Sequence, residues 1–134
     1  VCSSDLAEVY ESVARQAFAR FPNLRQAAFN VRRTISPSTN AIQGFLAARQ
    51  GDGLAFFSTP ERTLDAIADR LGTGDAFTAG VLHGLDGFGG DLERTVRFAS
   101  ALAALNHSTF GDFSVFGENQ VLAAMGQGSL NVQR

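Results

Sequence analysis

Apolar residues change their spacing several times along this chain, and each change marks an element. From Asp5 to Phe21, Leu6, Val9, Val13, Ala17 and Phe18 recur at helical spacing and predict one inward face. Asp5 or Ser4 suits the N-cap, Glu8 completes a capping box with Asp5, and Pro22-Asn23 stops the helix. Ala27 to Val31 is an apolar run of strand length, so helix and strand together suggest an αβ unit of a parallel sheet. Ser36 to Asn40 reads as a turn. The segments AIQGFLAARQ and LAFFS flank Gly51-Asp52-Gly53 and predict a β-hairpin, and a further short strand around Leu64 to Ala68 leads into Asp69.

Helical spacing returns from Asp75 to Leu85, with Phe77, Val81 and Leu85 on one face and Ala76, Ala79 and Gly80 permitting close packing. Gly84, Gly87, Gly89 and Gly90 are expected to end that helix. The next runs from Asp91, its N-cap, to about Leu105, with Glu93 and Arg97 as an i,i+4 pair and Leu92, Val96, Ala99, Leu102 and Ala103 on its apolar side. Asn106 to Phe116 is a polar loop punctuated by aromatics. A last helix, Glu118 to Met125, turns Val121, Leu122 and Met125 inward. Residues 1–4 read as a frayed or remnant start and 126–134 as a loose polar tail, which leaves 5–125 as one domain.

Composition narrows the chemistry. The 134 residues suffice for one domain with a core, and an apolar content of 45% with a net charge of −2 gives no basic surplus for nucleic acid. No apolar run approaches membrane-spanning length and no signal peptide is evident, and a single cysteine, Cys2, suits a cytoplasmic chain. All 11 basic residues are Arg, so a P-loop, which needs its Lys, is excluded, as is Schiff-base catalysis. One Cys and two distant His argue against a Cys/His metal site, and no Gly-x-Ser-x-Gly elbow is present. His83, beside Leu82, reads as a partly exposed helix residue.

One stretch carries candidate chemistry: Asp69 to Gly80, DRLGTGDAFTAG. Gly72 and Gly74 permit a tight turn and close approach of a ligand to the backbone. The helix behind them leaves N–H groups unpaired at its positive end, so Gly72, Thr73 and Gly74 form an anion seat best suited to phosphate. Asp75 at its edge either caps the helix, or accepts or orients the proton of a hydroxyl attacking phosphorus. The two roles are compatible. Arg32 and Arg33, at the carboxyl end of the first strand, are either a solvated pair or part of a ligand site.

This stretch resembles the second signature of the phosphofructokinase-B/ribokinase family of sugar kinases, through Asp69, Gly72, Thr73, Gly74, Asp75, Phe77 and Gly80. Thr73 stands where Ala or Gly is commoner. Val-Arg-Arg-Thr at 31–34, Ser-Pro-Ser-x-Asn at 36–40, the hairpin and Gly-Asp-Phe at 111–113 look like the 2-keto-3-deoxygluconate kinase branch. The resemblance implies an α/β fold, the C-terminal part of a ribokinase-like, Rossmann-like three-layer domain with a mixed sheet, a β-hairpin and packed helices. It implies ATP-dependent phosphorylation of a sugar or sugar-acid hydroxyl with Asp75 catalytic, Mg²⁺ arriving with the nucleotide and K⁺ as a further cation. It places Val31, Arg32, Asn106, His107 and Ser108 near the nucleotide, although His107 also reads as an ordinary loop histidine. It assigns Asp69, the Leu71 carbonyl and Gly111 to a monovalent cation.

The resemblance covers Asp5 to Met125 but only the C-terminal portion of such a kinase, without the sugar pocket. The alternative is a nucleotide- or anion-binding module without catalysis. The full-length protein is expected as a homo-oligomer, and the strand at Ala27 to Val31 is expected to leave an open edge that makes this chain marginally stable or prone to associate.

Overall fold

A computed structural model describes residues 3–126. The expectations for residues 1–2 and 127–134 lie outside the described residues. The order is α1 (Ser3–Arg20), β1 (Gln26–Ser36), β2 (Thr39–Gln50), β3 (Gly53–Ser58), β4 (Arg62–Leu64), α2 (Thr73–Gly87), α3 (Leu92–Asn106) and α4 (Glu118–Met125).

The sheet is organised around β2. It pairs with β1 along one edge (Phe29 with Phe45, Arg32 with Ile42), and with β3 and then β4 along the other. Every residue from Asn40 to Ala48 is buried, as a near-continuous apolar run predicts for a strand covered on both faces. Alternation separates the two faces. Ala47 packs with Ala14 and Phe18 of α1, and Leu46 packs with Phe77, Val81, Val96, Ala99 and Ala103 of α2 and α3. Burying a side chain such as Leu46 is worth about 1.5–3 kcal/mol. The result is three layers, helix–sheet–helices.

Residues 3 and 4, expected in a frayed start, belong to α1, so neither Ser4 nor Asp5 is its N-cap. Three further expectations are corrected. Ala27–Val31 is not part of a parallel αβ unit: it extends to Ser36 and turns through Pro37-Ser38 straight into β2, so the pairing is antiparallel. A two-residue connection permits only that arrangement, because a parallel partner needs a crossover of a dozen residues or more. The inward face of α1 is also rotated. Tyr10, Ala14 and Phe18 face the sheet, with Tyr10 stacked on Phe45 at 4.8 Å, while Val9 (55% exposed) and Val13 (44%) face outward. The Tyr10 ring and Arg49 decide this. Arg49 donates to the Phe18 and Leu24 carbonyls at the end of α1 and fixes how that helix lies. The third concerns the strand near Leu64, which lies at Arg62–Leu64, before Ala66 takes a left-handed φ of 54°.

Helices α2 and α3 approach closely because α2 presents glycine. A Cβ on Gly80 would stand 2.6 Å from Ala99 Cα, and one on Gly84 would stand 2.7 Å from the Thr95 side chain. Gly84 therefore packs inside the helix and does not end it; α2 continues to Gly87. Asp91 caps α3 as expected, accepting from Arg94 N at 2.9 Å. Glu93 and Arg97 do not form an ion pair; both line a polar cleft with Arg62, Ser100 and Met125. His83 is partly exposed, stacks on Phe98 and reaches Glu118 of α4 at 3.4 Å. The outer edge of β1 has no strand partner among the described residues.

Candidate functional site

The segment between β4 and α2 is tied down by side chains from three directions. Asp69 Oδ1 accepts from the Arg70 and Leu71 amides (2.7 and 3.1 Å), and Oδ2 accepts from the Gly111 amide at 3.0 Å. These three amides, Gly111 foremost, hold the Asp69 carboxyl below the usual carboxylate range against an opposing effect of burial. Thr73 Oγ1 donates to the Arg70 carbonyl (3.1 Å), and Asn106 Nδ2 donates to the Leu71 carbonyl (3.2 Å). The His107 carbonyl accepts from the Ala68 and Asp69 amides.

What remains free is the helix start. Gly72 is the N-cap of α2, with φ 70° and ψ 0°, and its carbonyl accepts from Ala76 N. Among the described residues the amides of Gly72, Thr73, Gly74 and Asp75 have no hydrogen-bond partner within the protein. Asp75 is thus the third residue of the helix and not its cap, which corrects the capping expectation; its side chain is exposed. A Cβ on Gly72 would stand 2.5 Å from the Asp112 carbonyl oxygen, so the turn rests directly against the loop that follows α3.

Residues 72–75, which carry these four amides, line a cleft of about 580 Å³ together with Tyr10, Asn30, Val31, Arg32, Arg70 and Leu71. Arg32 is exposed, and Arg33, on the opposite face of β1, pairs instead with Glu61 at 2.8 Å. Arg70 donates to the Pro37 carbonyl at 2.7 Å. Four free amides, a helix N-terminus and two guanidinium groups favour an anion with several charged oxygens, and the exposed carboxylate stands where a hydroxyl could reach it.

The cleft therefore brings together Val31, Arg32, Gly72, Thr73, Gly74 and Asp75. Asn106, His107 and Ser108 lie behind the turn. Asn106 and His107 are almost fully buried, while Ser108 is exposed and donates to the Leu105 carbonyl. His107 Nδ1 faces the Ala103 carbonyl at 2.7 Å and so carries the proton. Burial first, then the charges of Arg32 and Arg70, lowers the His107 pKa against the effect of that bond. Asp69, Leu71 and Gly111 do meet, through the bonds above. Tyr10, Asn30 and Arg70 were not among the candidate residues. Arg70 sits inside the motif and could have been suspected from its charge, whereas Tyr10 and Asn30 come from elements whose packing the sequence leaves open.

The sequence matches the pfkB family carbohydrate kinases over residues 2–114. This chain belongs to that family. Its structure is similar to a PfkB family carbohydrate kinase from Listeria grayi, with 32% identity and a TM-score of 0.78 over 85% of this chain and 34% of that one. It is similar in fold to 2-dehydro-3-deoxygluconokinase from Thermotoga maritima, with 23% identity and a TM-score of 0.76 over 90% of this chain and 34% of the other. A third similar structure, from Enterococcus faecalis and described as a candidate 2-keto-3-deoxygluconate kinase, has 26% identity and a TM-score of 0.74 over 92% of this chain and 34% of its own. The chain thus spans about a third of the length of each. No curated protein matches it. The ribokinase-like α/β fold expected from the sequence is the fold these structures share with it. No described helix is long and apolar enough to cross a membrane.

Proposed function

We propose that this chain is the nucleotide-binding and catalytic part of a cytoplasmic kinase that transfers the γ-phosphoryl group of ATP to a hydroxyl of a sugar or sugar acid, with 2-keto-3-deoxygluconate the first substrate to test. The observation that carries the reading is the set of four unbonded amides at Gly72–Asp75, beside an exposed carboxylate, facing a cleft with two arginines. The sugar oxygen forms its bond to the γ-phosphorus while the bond to the β–γ bridging oxygen breaks, releasing ADP. Asp75 accepts or orients the hydroxyl proton, and the amides stabilise charge developing on the transferring group.

Mg²⁺ bound with the nucleotide supplies charge neutralisation there. Among the described residues no three His, Cys, Asp or Glu side chains cluster to hold a metal of their own. Asp69 and the Leu71 carbonyl are oxygen donors of the kind K⁺ takes, and each would share its lone pairs with the hydrogen bonds already described. Gly111 would act by holding that loop against Asp69. Asn106, His107 and Ser108 serve the nucleotide by shaping the loop behind the turn, since the first two side chains are sealed.

Asp75→Asn in the natural full-length protein should lower turnover about 10²–10⁴-fold with ATP affinity near the unsubstituted value. Turnover within a few fold of the original would refute the role. A second reading, a nucleotide-binding module without catalysis, rests on the same unbonded amides, which can hold phosphate whether or not Asp75 meets a hydroxyl. ATP binding with no phosphoryl transfer to any sugar would select it.

A further inference from the structure

We infer that Arg70 is a positioning residue: it bolts the β1–β2 turn to the anion turn and so sets Arg32 at its working distance from the amides of Gly72–Asp75. The inference rests on the function proposed above. Arg70 is built into the anion turn, because its amide donates to Asp69 Oδ1 and its carbonyl accepts from Thr73. Its guanidinium leaves that turn and donates from Nη2 to the Pro37 carbonyl at 2.7 Å. With the buried Asn40 amide turned so that its nitrogen donates to the Thr39 carbonyl, the Asn40 oxygen accepts from Arg70 Nε at 3.2 Å. The fork thereby holds both ends of the turn whose strands carry Arg32.

Two other ties join the same turn to residues 65–67, Ile67 N to the Ser38 carbonyl and Thr39 Oγ1 to Asp65. Neither reaches the cleft, whereas Arg70 also lines it. Arg32 is opposite in character: exposed, lining the cleft, and with no hydrogen-bond or ion-pair partner among the described residues. One arginine is therefore committed to the protein and the other is available to the anion. A lysine can supply charge at position 70 but cannot donate to two acceptors in the planar arrangement of a guanidinium.

The test is a double-substitution cycle on this chain, with ATP and pyrophosphate as probes and binding read by calorimetry. Circular dichroism checks that each variant is folded. Arg32→Ala should weaken binding about tenfold, Arg70→Ala should do nearly the same, and the double variant should be no worse than Arg32→Ala alone. Arg70→Lys should behave like Arg70→Ala. Additive losses, or an Arg70→Lys variant that binds like the original, overturn the positioning role while leaving the nucleotide site intact. Failure of the unsubstituted chain to bind either probe overturns the proposed function, and this inference with it.

Discussion

Gly72→Ala offers the most direct probe of how the anion turn is built. The residue has φ 70°, a left-handed conformation that costs an L side chain about 1–2 kcal/mol. Its new methyl would meet the Asp112 backbone at 2.5–2.9 Å, with carbonyl oxygen, Cα and carbonyl carbon all inside contact distance. Backbone cannot swing aside as a flexible side chain does, so an overpacking cost of about 1–3 kcal/mol is added. The sum, about 2–5 kcal/mol, corresponds to a melting temperature lower by about 8–20 °C for a domain of this size.

Gly74 supplies the control. Its φ is not positive and no atom lies within 4 Å of a Cβ built there, so Gly74→Ala should be neutral or stabilise α2 by up to about 1 kcal/mol. The same methyl stands among the free amides and should still weaken ATP binding, which separates the seat from the scaffold. Thermal melts followed by circular dichroism, with calorimetric titration of ATP, read both quantities. A Gly72→Ala protein within about 0.5 kcal/mol of the original would refute the account of the turn, since that is the range of surface substitutions with no structural consequence.

The remaining predictions concern protonation and backbone strain. Because burial lowers the folded-state pKa of His107, the unfolded chain takes up the proton first as pH falls through about 6.5. Its contribution to stability is therefore complete above that pH and is lost as pH drops toward the folded value. Urea midpoints at about pH 7.5 and about pH 5.5 should differ less for His107→Gln than for the original, and equal differences would refute the assignment. Ala66 is exposed and holds φ 54° with a Cβ, so Ala66→Gly relieves about 1 kcal/mol, partly offset by greater freedom of the unfolded chain. Its unfolding midpoint should be unchanged or slightly raised, and that of Ala66→Val lowered; the reverse order would refute strain at this position.

Periodicity made the helices legible because each carries apolar residues at helical spacing. Phe77 and Val81 of α2 and Val121 of α4 are buried as their spacing predicts. The hairpin around Gly51 was legible because two apolar runs flank a short Gly-Asp-Gly turn. The face of α1 was not, since Val9 and Tyr10 both read as apolar and the choice between adjacent stripes falls to the ring stacking on Phe45 and the bonds from Arg49. Strand direction was missed because Ser36-Pro37-Ser38-Thr39-Asn40 reads equally as a loop between distant elements or as a tight reversal. Of the site, Asp75 and the glycine turn stand in a contiguous motif. The burial of Asn106 and His107 depends on how α3 ends against residues 68–71, a long-range contact with no local pattern.

The carboxylate of Asp69 spans 42 positions of sequence to take its bond from Gly111, and the Leu71 carbonyl waits for Asn106. No isolated peptide around the glycine turn can reproduce this arrangement. During synthesis the chain gains it only after residues beyond Gly111 have cleared the ribosome and α3 has docked, so the anion turn would be among the later parts of this segment to take its final shape.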